Sequence, residues 1–425
     1  MKQRFSGVTL FIILFLCLGL SFSFASDWII QSKSGKLPAK LKDIVANSGG
    51  KLKKYWDGVG IAVADFQTRE DAEAIEAHGV YVMPDVKLDW LPKVKSHKAE
   101  SIGDNEGYYG YQWHLPVIEA DKAWDAGSTG FGARVAVLDT GIWYPHPDLF
   151  YNIDFTASAT FVPGTTDFID DHGHGTHVSG IIAAADNDWG SIGVAPDATL
   201  IGVKVLDSSG SGYQSWIVAG MIHAVLADAD ILNLSLGSYL KKSGNLPYYT
   251  ASDAAKIKNL YKTIIQWAAK KGVLVVCAAG NESYDLDHLW NYIKLPAEAG
   301  NGITVSATGP AGLQNFDNFA SYSNYGTSLI TVAAPGGDFT MYPNPGWWYD
   351  MVFSTTINGW SWMAGTSMAT PVVSGVAALV ISTYGKMKPN IMKNLLGNTA
   401  DDLGKPGRDP YYGKGRVNAF KAVKD

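Results

Sequence analysis

Cysteine is almost absent from this chain: among 425 residues only Cys17 and Cys277 carry a thiol. Cys17 falls in an apolar run from Val8 to Leu20, which follows Lys2 and Arg4 and closes on Ser23-Phe24-Ala25. That is the layout of an export signal, expected to be cut after Ala25. No small residue directly precedes Cys17, so no lipid anchor is expected there. The mature chain then keeps Cys277 alone, which rules out an intramolecular disulfide and leaves a small buried strand residue. Charge of one sign is also lacking. A net charge of -6 gives no electrostatic pull toward nucleic acid. Past residue 25 no segment stays apolar for about 20 residues, so no membrane span is expected after signal removal. Internal repeats and low-complexity tracts are missing too. With 47% apolar residues and 46 glycines, what remains is a globular chain long enough for one large domain and a smaller unit.

The smaller unit occupies residues 26 to about 95. Strand patterns at Trp28-Ile29-Ile30, Gly58 to Phe66 and Val80 to Met83 interleave with helical patterns at Leu37 to Ala46 and Thr68 to His78. This order predicts a small βαββαβ-like module. Its lysines, among them Lys33, Lys36, Lys40, Lys42, Lys51, Lys53 and Lys54, read as a solvated basic face. A polar stretch from Trp90-Leu91-Pro92 to Gly110 reads as a linker and processing zone.

From Gln112 onward, short β-branched runs alternate with helical segments. The runs are Val135 to Leu138, Leu200 to Val205, Ile231 to Leu234, Val273 to Ala278 and Ile303 to Ser306. The helices are expected at Val117 to Ala126, His174 to Ala185, Ser215 to Ala227, Ala251 to Lys271 and Ser367 to Thr383. Strands apolar on successive residues are buried on both faces, so the fold class is α/β, a doubly wound and mostly parallel sheet. Sites in such sheets form at the carboxyl ends of strands. The stretches Ser238 to Ala251 and Gly336 to Trp362 read as surface embellishments.

Several motifs sit at those strand ends. Asp139-Thr140-Gly141 follows the first strand. A pair of aspartates sharing a proton would need a second such triplet, and Asp207-Ser208-Ser209 fails at its third position. Three histidines lie in Asp171-His172-Gly173-His174-Gly175-Thr176-His177 at a helix entrance. Gly175 follows His174 where a zinc-protease motif needs glutamate, so a catalytic zinc is not expected and a general base is. Composition does not choose among the three. Asn281 ends a strand in Gly280-Asn281, where its amide can face a developing oxyanion. Gly365-Thr366-Ser367-Met368-Ala369-Thr370-Pro371 turns tightly into an apolar helix. Proline fits only a first turn, so this helix is expected to open at about Ser367.

In the order Asp, His, Ser, the segments around Asp139, His174 and Ser367 resemble the three signatures of the subtilisin-like (subtilase) serine endopeptidases. The resemblance runs from about residue 110 to the end and includes Tyr412 to Ala419. It implies Ser367 as nucleophile, His174 as base, Asp139 as the orienting acid, and a structural role for His177. Asn281 and the N–H of Ser367 are then the oxyanion donors. Peptide or protein substrates would lie extended between Gly210-Ser211-Gly212 and Ser235-Leu236-Gly237, with Ala278-Ala279-Gly280 walling the first pocket. Lys294 departs from the family at the floor of that pocket, where many relatives have glycine. Residues 26–105 resemble the family's ferredoxin-like inhibitory propeptide, so the expected order is signal 1–25, propeptide 26–105 and catalytic domain 106–425. The implied state is a secreted monomer, extracellular or periplasmic, with its propeptide as intramolecular inhibitor. Asp148, Ala185, Asn187, Trp189 and Ser191 resemble a structural calcium site. The alternative is a subtilisin-shaped binding or scaffold protein without activity, which the intact Asp139, His174, Ser367 and Asn281 argue against.

Overall fold

Alternation along each edge of a small sheet decides how the chain begins. The computed structural model describes residues 26–91, 96–98 and 107–424. The expected export signal and most of the expected linker fall outside the described residues. Strands β1 (Ser26–Ser32), β2 (Lys51–Trp56), β3 (Ile61–Phe66) and β4 (Val80–Pro84) pair antiparallel in the order β2-β3-β1-β4, with helices α1 (Leu41–Asn47) and α2 (Arg69–Ala74) between them. This is the ferredoxin-like βαββαβ arrangement expected. Thr68 starts α2 by accepting from the Asp71 N–H, 3.1 Å, and Gly79 at φ +80 turns the chain into β4. Side chains alternate across a strand. Trp28, Ile30, Ala62, Ala64, Val80 and Val82 therefore form the module's own core, while Ile29, Ile61 and Met83 point the other way and join the core of the large domain.

The large domain carries seven parallel strands: β5 (Arg134–Asp139), β6 (Ala159–Thr160), β7 (Thr199–Lys204), β8 (Ile231–Leu234), β9 (Leu274–Ala278), β10 (Ile303–Thr308) and β11 (Val332–Pro335). Their order is β11-β10-β9-β8-β5-β7-β6. Helices α3 (His174–Ala183) and α6 (Thr366–Tyr384) cover one face. Helices α4 (Gln214–Leu226) and α5 (Ala251–Lys270) cover the other. Val135 and Val137 face the first pair, Ala136 and Leu138 the second. Cys277 is buried on the second face, where burial pushes its thiol up to about 12. The chain reverses direction across the sheet at β5, flanked by β7 and β8, so Asp139 at its carboxyl end occupies the switch point.

One expectation fails. Residues 336–362 are not an embellishment, because β12 (Val352–Thr356) and β13 (Gly359–Met363) form a hairpin packed against α3. Val352, Phe353 and Thr355 are fully buried. Trp362 belongs to the core, 4.7 Å from Phe353 centre to centre, and Trp347, Trp348 and Trp360 pack against it partly buried. In the other such stretch, Ser238–Lys241 pairs antiparallel with Tyr292–Leu295 and sets Tyr239 opposite Lys294.

Candidate active site

Asp139 is fully buried, and its Oδ1 accepts from the Thr140 N–H and from His174 Nδ1, both at 2.8 Å. His174 opens α3 behind Gly173 at φ +100. A second acid, not singled out by the sequence, holds this entrance: Asp170 accepts from Thr140 Oγ1 (2.8 Å), from the His172, Gly173 and Thr176 N–H groups (2.9 Å each), and from Thr176 Oγ1 (2.5 Å). Gly175 has to be glycine because any Cβ there would run into the Gly141 carbonyl and lie 3.0 Å from Asp139 Cβ. Geometry thus chooses among the three histidines. His172 is exposed. His177 bonds the Ser361 carbonyl at 3.1 Å and is kept neutral by burial, its pKa pushed down to about 3. His174 alone meets Asp139, and its buried Nε2 carries no hydrogen bond.

Helix α6 opens at Thr366, one residue earlier than expected, and Pro371 lies inside it. Proline has no N–H, so the Ser367 carbonyl four residues back loses its helical donor. Ser235 Oγ takes that place at 2.7 Å, and Ser367 Oγ donates back to the Ser235 carbonyl at 3.0 Å. The proline therefore ties the serine to one edge of the cleft. Across it, Asn281 Oδ1 accepts from the Thr366 N–H (2.8 Å) and Oγ1 (2.7 Å). With its oxygen so committed, Asn281 turns Nδ2 toward the turn, 3.2 Å from where a Cβ on Gly365 would stand.

The two expected cleft edges both engage the chain's own N-terminal unit. Lys87–Asp89 pairs antiparallel with Ser211–Tyr213. Trp90 and Leu91 donate their N–H groups to the Gly210 carbonyl at 3.2 and 3.3 Å, and the Gly237 N–H donates to the Trp90 carbonyl at 3.0 Å. The Trp90 indole is fully buried in the same cluster as Leu206, Ile217, Leu236 and Tyr261 and donates to the Gly212 carbonyl at 2.9 Å. Asp85 accepts from the Ser215 N–H, 2.9 Å, and from the Ser215 hydroxyl at the start of α4. Beside Ser367, Leu236, Gly237, Ala278, Gly280, Asn281, Glu282, Lys294 and Thr366 line a pocket of about 10 Å³. Ala279 is not part of that wall, since its methyl packs with Leu286 and Ile330.

The residues expected to hold calcium are partly committed to one another. Asp148 Oδ2 already accepts from the Ser191 N–H (2.8 Å), Ser191 Oγ (3.1 Å) and the Trp360 indole (2.9 Å). Ala185 donates its N–H to the Asp148 carbonyl at 2.8 Å, Asn187 Oδ1 accepts from the Trp189 N–H at 3.0 Å, and the Trp189 side chain is exposed. A hard cation needs oxygen acceptors around it, and the second carboxylate oxygen, Asp148 Oδ1, is buried and carries no hydrogen bond, which leaves one such acceptor open. Among the described residues no three acids, histidines or cysteines converge, so any further ligands would be the Asn187 amide oxygen and loop carbonyls. Heat inactivation is accordingly expected to run faster with a chelator. An unchanged rate would show that these residues hold no metal.

The doubly wound sheet carries a buried Asp–His pair at its switch point, and Ser367 lies in the first turn of α6 beside the Asn281 amide, the set of groups expected of a serine-type endopeptidase. Residues 130–415 match the Subtilase family of peptidases. The chain is 34% identical over 396 residues to subtilisin NAT of Bacillus subtilis subsp. natto, covering 92% of this chain and 88% of that protein. It is 37% identical over 328 residues to thermitase of Thermoactinomyces vulgaris, covering 75% and 98%. The chain belongs to the subtilase family. Among solved structures, the epidermin leader peptide processing serine protease of Staphylococcus aureus shares the fold with a TM-score of 0.77 at 24% identity, over 94% of this chain and 97% of that one. A lanthipeptide protease aligns with a TM-score of 0.65 at 29% identity, over 74% and 95%.

Proposed function

We propose that this endopeptidase is made as a secreted precursor, that Asp139, His174 and Ser367 form its catalytic triad, and that residues 26 to about 105 are an inhibitory propeptide which it removes from itself. Ser367 Oγ attacks the scissile carbonyl carbon and passes its proton to His174 Nε2. His174 hands that proton to the leaving amine, and water then hydrolyses the acyl-enzyme. Asp139 holds Nδ1–H and stabilises the imidazolium. Asn281 Nδ2 and the Ser367 N–H take the negative charge on the tetrahedral oxygen. Ser367 Oγ, which here donates to the Ser235 carbonyl, turns to His174 when a scissile bond is in place; such bonds often tighten only then. The substrate-binding residues are Gly210, Ser211, Gly212, Ser235, Leu236 and Gly237, with Ala278 and Gly280 at the first pocket.

The single observation that carries the precursor reading is the extended segment Lys87–Leu91 lying between those two edges, as a bound peptide would. Secretion rests on the export-signal pattern before Ser26, and a monomeric mature enzyme remains the expected state. Ser367→Ala should yield one intact chain from the start of the N-terminal unit onward, whereas the native protein separates into two. Normal separation in Ser367→Ala would reject self-processing. A processing protease is favoured over a degradative one by the small pocket beside Ser367, which holds the buried Lys294, and a structural relative is a lanthipeptide protease.

Asp85 gives this inhibitor a pH dependence. Burial pushes its carboxyl up to about 7, against the lowering pull of Ser215. A carboxyl whose docked value exceeds its ordinary one favours docking fully below about 4, and that contribution is lost as pH rises to about 7. Below about pH 7, Asp85→Ala should shorten the lag before activity appears roughly two- to tenfold, the equivalent of about 0.5–1.5 kcal/mol for bonds to an uncharged group. Asp85→Asn keeps an acceptor and should flatten the pH dependence. A lag unchanged in both variants would remove Asp85 from the inhibitory contact.

A further inference from the structure

We infer that the pocket beside Ser367 selects a carboxylate side chain, Glu or Asp, on the residue whose carbonyl is attacked, and that Lys294 is the group that reads it. This rests on the proposed role of Ser367.

The strand Tyr292–Leu295 carries Lys294 into the pocket, where its side chain is 3% exposed. Its Cε lies 3.0 Å from where a Cβ on Gly237 would stand, and its Nζ lies 2.6 Å from the same point on Gly280. The ammonium therefore occupies the slot between the two backbone walls that an incoming side chain must enter. One face of it rests on the Tyr239 ring, 4.1 Å to the centre. Its carboxylate partner, Glu282 Oε1, is 3.5 Å away, well beyond the 2.7–2.9 Å usual for a bond between charged groups. Glu282 has less need of the lysine. Its Oε2 is held by the Tyr239 hydroxyl and by Asn324 Nδ2 at 2.8 Å, and its N–H donates to Asn324 Oδ1 at 3.2 Å. The under-supplied member of the pair is Lys294, a buried group with three donors and one long contact.

Three kinds of side chain meet this pocket differently. A large apolar one would press against the ammonium and leave it without an acceptor or solvent. A lysine or arginine would bring a like charge against Nζ. A carboxylate supplies the acceptor that Lys294 lacks, and both charges end paired. The chain offers matching bonds of its own: the linker holds Glu100, Asp104 and Glu106, whereas Lys93 and Lys95 lie nearer the docked segment.

The test uses processed enzyme whose active sites have been counted with a fluorophosphonate, on peptides differing only in the residue before the scissile bond. Glu or Asp should exceed Phe, Leu and Lys in kcat/KM by at least about tenfold. Lys294→Met should reverse the order of Glu and Phe, Lys294→Arg should keep it, and the mature chain should begin directly after one of the three linker acids. Best cleavage after Phe, Leu or Lys, an unchanged Glu-to-Phe ratio in Lys294→Met, or a mature chain starting after Lys93 or Lys95 would overturn the inference. Loss of fluorophosphonate labelling would instead defeat the proposed role of Ser367, so the two failures are distinguishable.

Discussion

Turnover is expected to fall about a million-fold when His174 is replaced by alanine, the scale known for the corresponding base in subtilisin itself. The physical reason lies in the pairing on the page. His174 Nδ1 is spent on Asp139 at 2.8 Å, which leaves Nε2, without a hydrogen bond, to take the proton from Ser367 in the proposed triad. A serine hydroxyl without that base is a weak nucleophile at neutral pH. Ser367→Ala should cost about as much, and the double variant little more, because the two groups act as a unit. Asp139→Asn should cost less, about ten-thousand-fold, by presenting the wrong tautomer to Ser367. Steady-state kinetics on a peptide substrate would check all four. Additive losses in the double variant would show that His174 and Ser367 work separately.

Asn281→Ala is expected to lower kcat by roughly 10² to 10³, again the scale found for the matching group in subtilisin, while KM changes little. The amide is fixed before substrate arrives, since Thr366 occupies its oxygen through both N–H and hydroxyl. A donor fixed in advance stabilises charge that exists only in the transition state, so its removal appears in kcat. A rise in KM at constant kcat would mean that Asn281 binds ground-state peptide instead.

Strands whose residues are apolar in succession were readable without a structure, because burial on both faces leaves that mark in composition. Val135 to Leu138 and Ile231 to Leu234 are examples. The hairpin Val352–Met363 was not readable, since its Trp360 and Trp362 look the same whether they face solvent or fill a core. Helix α6 was placed nearly correctly from Pro371, but the tolerance for proline comes from Ser235, a residue 132 positions away in sequence. Asp170 left no signal, because it works on backbone N–H groups that any sequence possesses. The stretch from Asp148 to Ser191 was read as cation ligands, since an Asp, an Asn and loop carbonyls look alike whether donors or a metal surround them. Trp360, brought in by the hairpin, supplies one such donor to Asp148 Oδ2, while Oδ1 keeps no partner. Lys294 was visible as a departure from relatives, whereas Tyr239 and Asn324, which take up Glu282, became evident only when strand register placed them.

The central claim is that Ser367, driven by His174, is the nucleophile of a serine endopeptidase. Labelling with a fluorophosphonate, followed by mass spectrometry of the modified peptide, tests it most directly. The account predicts one label per processed chain, on Ser367, lost in Ser367→Ala and strongly slowed in His174→Ala. A native protein that stays unlabelled, or a label on any other residue, would contradict it.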